Sequence, residues 1–162
     1  MIRSVELSDA QKIAEIYNHY IESSIATFET RPISKQEMAQ RIKDTQANDL
    51  PYLVTVDGQN QVLGYAYASK WKGRCAYRFS VESTVYLAAE STGQGLGKAL
   101  YDALFKVLKQ MKYHAVIAGI SLPNPASVAM HETFGMKKVA HFEQVGFKFD
   151  QWVDVGYWQK IL

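Results

Sequence analysis

The sequence predicts an α/β fold in which strands and helices alternate, and three observations carry that prediction. Apolar runs of strand length, such as "PYLVTV" and "HAVIAGI", recur between segments of helical periodicity. Leu96, Ala99, Leu100, Ala103, Leu104, Val107, Leu108 and Met111 form one apolar stripe at helical spacing, with Lys98, Asp102, Lys106 and Lys109 off it. Start and stop signals bracket the helices: Ser34 with Glu37 makes a capping box, and Asn124 followed by Pro125 opens a helix that Gly135 ends. The 162 residues suit one domain spanning 1–162.

In chain order, "IRSVEL" reads as a first strand. Ser8 and Gln11 make a capping box for a helix carrying Ile13, Ile16, Tyr17 and Tyr20 at helical spacing. "IATFETRP" is an irregular or extended link, and the Ser34 box opens a second helix with Met38 and Ile42 on one face. "PYLVTV", the turn "DGQN" and "QVLGYAYASKW" read as strand, turn and strand. "AYRFSVESTVYL" is a long β-rich run without a breaker, read as a central strand. The striped helix, the buried strand "HAVIAGI" and the Asn124 helix follow. "KKVAHFEQVGFKF" and "WVDVGYWQKIL" close the chain as two strands joined by a tight turn. The order is β-α-α-β-β-β-α-β-α-β-β, with no repeat and no linker.

Bulk properties exclude some classes. A net charge of +2, with the basic residues scattered, does not call for a nucleic-acid or membrane partner. The lone Cys75 allows no internal disulfide, and a reducing, cytoplasmic setting is the simplest reading. The N-terminus lacks the apolar core of a signal peptide. No apolar run approaches the roughly 20 residues that span a bilayer.

The stretch "ESTGQGLGKALYDALF" places Gly93, Gly95 and Gly97 at alternate positions before the striped helix. Glycine gives up the most freedom on folding, so three of them imply a backbone that something must approach closely. Helix-start N–H groups have no intrahelical acceptor and carry the positive end of the dipole, which makes an anion site. Alone, the spacing also fits a plain strand-to-helix turn. A P-loop is excluded because Ala99 follows Lys98, and a dinucleotide fingerprint because the spacing is G-x-G-x-G.

Thr92-Gly93-Gln94-Gly95-Leu96-Gly97 resembles the pyrophosphate loop of the GNAT acetyltransferase superfamily, [Q/R]-x-x-G-x-[G/A] ahead of a helix, with Thr92 standing where Gln or Arg is usual. "NPASVAMHETFGM" resembles the superfamily's N-x-x-[A/S]-x-x-[L/M]-Y-x-x-x-G-[F/M] segment, with His131 at the usual tyrosine position. His131, "IYNHYIESS", "VESTVYL" and "WVDVGYWQ" make the chain similar to the phosphinothricin and methionine sulfoximine N-acetyltransferases along nearly its full length. The resemblance implies a GNAT fold, a mixed, mostly antiparallel sheet flanked by helices. It also implies acetyl-CoA as co-substrate, no metal, and direct attack of an amine on the thioester in a ternary complex. Its pyrophosphate would lie on Gly93, Gln94, Gly95, Leu96, Gly97 and Lys98. Its pantetheine arm would pair with Val85, Tyr86 and Leu87, where a backbone N–H serves the oxyanion, with further contacts from Asn124 and Thr133.

Acetyl transfer needs a neutral amine, so a group must take its proton. Glu82 is the candidate base, because a carboxylate inside an apolar β-rich run needs a reason. By periodicity alone it is equally a solvent-facing strand residue or half of an ion pair; the resemblance implies the base. His131 is the second candidate: as an imidazolium it would protonate the departing thiolate, or it would orient the amine or take its proton. A plain helix-surface histidine is the bland alternative. His19, His114 and His141 read as structural, and Tyr101 as either helix packing or a neighbour of the thiol.

"SKWKGRCAYRF" groups Lys70, Lys72, Arg74 and Arg78 with Trp71 and Tyr77. It reads either as a charged turn or as a site for a small anionic substrate, for which arginine is well suited. The resemblance places substrate contacts at Lys72, Arg74, Cys75, Ala76, Tyr77 and Phe28. It implies an amino-acid analogue such as phosphinothricin, methionine sulfoximine or its sulfone, held with its α-amine toward the thioester. Val145, Phe147, Phe149, Trp152 and Trp158 fit core packing first and a homodimer interface second. Acetylation of another amine, or a silent acyl-CoA sensor, are the competing readings.

Overall fold

The computed structural model describes residues 1–162. The strands are β1 (Ile2–Ser4), β2 (Tyr52–Val56), β3 (Val62–Lys70), β4 (Ser80–Leu87), β5 (Ala115–Leu122), β6 (Lys137–Lys148) and β7 (Gln151–Ile161). The helices are α1 (Ala10–Ser23), α2 (Lys35–Ala47), α3 (Leu96–Gln110) and α4 (Pro125–Thr133). The strands form one sheet in the order β1-β2-β3-β4-β5-β7-β6. Every pairing is antiparallel except β4 with β5. The element order and the mixed, mostly antiparallel sheet therefore match the sequence reading.

Alternation along β2 sends Tyr52, Val54 and Val56 to one face of the sheet and Leu53 to the other. The first face packs on Ile13 and Ile16 of α1 and Met38 and Ile42 of α2. The second packs on Leu100, Leu104 and Leu108 of α3, with Val116, Ala118 and Trp158. Helices thus cover both faces.

The β4–β5 pairing positions the site. It runs only from Ser80–Ala115 to Glu82–Ile117, although β4 continues to Leu87 and β5 to Leu122. Beyond Glu82 the two strands part, and β4 keeps β3 as its neighbour on the other side as far as Leu87–Gly64. One edge of residues 83–87 is left without a strand partner, and a cleft opens between β4 and β5.

Four local expectations are corrected. Ser8 and Gln11 do not cap α1: Ser8 bonds Glu6 and Gln11 bonds Glu15. A 3-10 turn at Leu7–Asp9 precedes the helix, and Asp9 takes the Glu6 N–H while paired with Arg3. The long strand from Ala76 starts only at Ser80, because Arg74 and Cys75 carbonyls accept the Tyr77 and Arg78 N–H groups in a 3-10 turn. The α3 stripe is rotated: Gly97, Tyr101 and Phe105 are buried with the leucines, while Ala99 and Met111 are exposed. Core packing holds for Trp158, which is buried, but Val145, Phe147, Phe149 and Trp152 lie exposed on the outer hairpin. The Ser34–Glu37 box and the Asn124 cap form as read. Phe149 and Asp150, both at positive φ, make the tight turn between β6 and β7.

Candidate active site

The cleft between β4 and β5 encloses about 630 Å3. Its walls come from β4 residues 82–87, the glycine loop, the start of α3, and the face of α4 carrying Asn124, Ser127, Met130 and His131. A second hollow of about 470 Å3 adjoins it, walled by Phe28, Phe142, Val145, Val155 and Tyr157. Glu82, Ala26, Thr27, Gly119 and Ser121 line both.

The glycine loop is built for close approach. Gly93 and Gly95 have φ of +74° and +77°, a region that other residues enter only with strain. A Cβ on either would still meet no protein atom, so the space beside them is open. Gly95 is the N-cap of the 15-residue α3, whose first N–H groups point out of the helix start beside Gly97 and Lys98. Gly97 acts differently. A Cβ there would press on Met130, so its absence lets α3 and α4 meet. A strand edge without a partner, a helix start and glycines with free space beside them fit an extended thiol cofactor ending in phosphates.

Glu82 ends the part of β4 that pairs with β5. Its carboxylate lies over Gly119, where any side chain would meet the Glu82 oxygen and the Tyr157 ring. It is half-buried and forms no ion pair. Burial pushes its pKa up, and the charge of Lys72 offsets part of that rise. A carboxylate of raised pKa is a better base than an ordinary one.

His131 is 4% exposed and sits in a line of polar groups. Its Nδ1 is 2.7 Å from the Ser127 carbonyl, which can only accept, so Nδ1 carries the proton. Nε2 then accepts from the Tyr101 hydroxyl at 2.9 Å, and Ser83 lies 3.2 Å from that hydroxyl. Burial lowers the His131 pKa, against the favourable bond to Ser127. Burial therefore favours the neutral ring. Of the roles the sequence left open for His131, this environment disfavours the imidazolium: the buried ring has one nitrogen bonded to a carbonyl and the other to a phenol. Burial also holds the Tyr101 hydroxyl protonated, well above the ordinary tyrosine range.

Of the residues singled out in the sequence, the cleft brings together Glu82, Val85, Tyr86, Leu87, Gly93, Gly95, Gly97, Lys98, Asn124 and His131. Asn124 uses its side-chain oxygen to cap α4 at Ser127 and still borders the cleft. Gln94 turns its amide back to the Glu90 carbonyl, Leu96 is off the cleft wall, and Thr133 is exposed and bonds Ala129. Phe28 walls the second hollow. Lys72, Arg74, Cys75 and Tyr77 border a separate hollow with Lys70, Arg78, Leu50 and Tyr113, which shares no residue with the cleft, and Ala76 lines neither. Lys72 alone of that group reaches Glu82, through its charge. The sequence reading left out Ser83, Gly119 and Ser121, and left Tyr101 undecided. The signal for Tyr101 was present, since it falls four residues after Gly97, one turn into α3.

The comparisons with known proteins agree with this geometry. Residues 2–156 match the model of the acetyltransferase (GNAT) domain. The chain is 38% identical over 159 residues to a phosphinothricin N-acetyltransferase of Streptomyces viridochromogenes, covering 98% of this chain and 86% of that protein. It is 31% identical to an L-methionine sulfoximine/L-methionine sulfone acetyltransferase of Salmonella typhimurium, over 98% of this chain and 92% of the other. The structure superposes with a TM-score of 0.97 and 36% identity on a phosphinothricin acetyltransferase of Sinorhizobium meliloti crystallised with acetyl-CoA, covering 100% of this chain and 88% of that one. The glycine loop, the parted strands and these similarities lead to one conclusion: the chain belongs to the GNAT superfamily of acetyltransferases.

Proposed function

We propose that this GNAT acetyltransferase transfers the acetyl group of acetyl-CoA to the α-amine of a small amino-acid analogue of the phosphinothricin or methionine sulfoximine type. The observation that carries the reading is the place of Glu82. It is the one carboxylate shared by the cofactor-shaped cleft and the second hollow. A base at that junction can act on an amine entering from the hollow toward a thioester lying in the cleft.

Acetyl-CoA supplies the activated acetyl group. The chain's own residues do the rest. The Gly93–Lys98 backbone and the α3 start hold phosphate oxygens. The unpaired edge of Val85–Leu87 offers N–H groups to the pantetheine arm and the thioester oxygen. Glu82 takes the amine proton, directly or through a water. His131 and Ser83 fix the Tyr101 hydroxyl beside the cleft; as the thiolate leaves, that O–H can turn from His131 Nε2 to hydrogen-bond the sulfur, whose proton comes from water. Phe28, Phe142 and Tyr157 enclose the acceptor's carbon chain, and the Lys70–Arg78 cations attract an acidic acceptor to this side of the molecule.

The same reading includes a homodimer. Val139, Phe142, Val145, Phe147, Phe149 and Trp152 are exposed on the terminal hairpin, and β6 is a sheet edge. An apolar edge of this kind favours association, and a second copy covering it would also close the second hollow. Light scattering is expected to give twice the 18.3 kDa chain mass, and a Phe147→Asp, Trp152→Asp double variant half of that.

The test of function is thiol release from acetyl-CoA across phosphinothricin, methionine sulfoximine, methionine sulfone, plain amino acids, spermidine, an aminoglycoside and a short peptide. Turnover confined to the acidic or sulfoximine-type amino acids is expected. Turnover of spermidine or the peptide in preference would overturn the acceptor assignment.

A further inference from the structure

The segment after α1, Ser24 to Phe28, has no regular structure, yet its four successive carbonyls at 24–27 are all bonded by side chains of the sheet. Lys148 Nζ on β6 donates to the Ser24 carbonyl at 2.7 Å and the Thr27 carbonyl at 2.8 Å. Between them, Ser121 on β5 donates to Ile25 at 2.6 Å and Tyr86 on β4 donates to Ala26 at 3.1 Å. Surface loops ordinarily leave such groups to water.

Lys148 is the unusual member. It is 4% exposed and forms no ion pair with a carboxylate. Its ammonium lies 4.9 Å from the centre of the Phe149 ring. Burying an unpaired cation is costly, and an apolar side chain would fill the same space without that cost. What the lysine adds is two charge-assisted hydrogen bonds, one to each end of the segment. Two residues before it on β6, Gly146 carries the Phe28 ring so closely that a methyl group there would overlap it. The hairpin and the segment are interlocked at both points.

Ala26 and Thr27 line the cleft and the second hollow, and Phe28 lines the hollow. The position of this segment therefore sets the width of the hollow. We propose that Lys148 is a positioning residue for the acceptor amine: by holding the Ser24 and Thr27 carbonyls it fixes the Phe28 wall, without touching the acceptor itself. This rests on the reading that the second hollow receives the acceptor.

The experiment is Lys148→Met, with Lys148→Arg as the conservative control, read in two ways. Hydrogen exchange of the peptide covering residues 24–29 is expected to quicken about tenfold or more in the Met variant and to stay near wild type in the Arg variant. The KM for the amine is expected to rise about tenfold in the Met variant, with acetyl-CoA Kd within about twofold and kcat little changed. Should Lys148→Met fail to fold, Lys148→Gln, which keeps a neutral donor, is expected to show the same changes at smaller size. Unaltered exchange at 24–29 would overturn the tether. Faster exchange with an unaltered amine KM would overturn the positioning role and the acceptor reading of the hollow, while leaving the cofactor cleft in place.

Discussion

The two ends of the active-site region are made of different material. The end proposed for the cofactor is backbone: two glycines at positive φ, the start of α3 and an unpaired strand edge. The end proposed for the acceptor is side chains: Phe28, Glu82, Phe142 and Tyr157, gathered from four parts of the chain. Backbone groups recognise what every acyl-CoA shares, namely phosphates and amides. Side chains recognise what differs between amines. The contrast explains how one fold can keep its donor while exchanging its acceptor.

Four substitutions probe that division, from the largest expected effect to the smallest. Glu82→Gln is expected to lower kcat by about 10²–10⁴-fold, while acetyl-CoA Kd from calorimetry stays within about twofold. Equal losses in rate and in acetyl-CoA affinity would move Glu82 from the chemistry to the cofactor end. Gly95→Val forces a branched residue to a φ of +77°, at roughly 1–3 kcal/mol of strain. Acetyl-CoA affinity should fall about tenfold or more, with amine KM little affected at saturating cofactor.

Tyr101→Phe leaves His131 Nε2 buried without a donor, a loss of about 1–3 kcal/mol visible as a lower Tm. It should also reduce kcat about tenfold, and a wild-type kcat would remove the Ser83–Tyr101–His131 line from the reaction. Lys72→Met has the smallest expected effect. The charge of Lys72 lowers the Glu82 pKa, so its loss should raise that pKa further and move the acid limb of the pH–rate profile upward. An unmoved limb would uncouple the basic segment from Glu82.

The same division governs what was legible in the sequence. The glycine loop, the Ser34–Glu37 box and the Asn124–Pro125 helix start are local patterns, fixed by φ preference and capping within a few residues. Such patterns point to the end proposed for the cofactor in the sequence alone. The acceptor end depends on contacts across the chain: Lys148 reaches back to Ser24 and Ser121 to Ile25. No spacing rule encodes such pairs. The sequence put His131 forward as a candidate, but not the hydrogen bonds of its buried ring, which come from the Ser127 carbonyl and the Tyr101 hydroxyl. "AYRF" misled because β-propensity is outweighed there by the local turn bonds from Arg74 and Cys75. That turn also carries Arg74 to a separate hollow rather than into the cleft.

The most direct test of the account is the pH dependence of kcat with the preferred amine at saturating acetyl-CoA, in the wild type and in Glu82→Gln. Burial raises the Glu82 pKa, so its basic form is lost as pH falls through that raised value. The wild type should therefore show an acid limb above the ordinary glutamate range, and the Gln variant should lack it while turning over slowly at every pH. The same limb in both proteins, at comparable rates, would contradict the account by placing the base elsewhere.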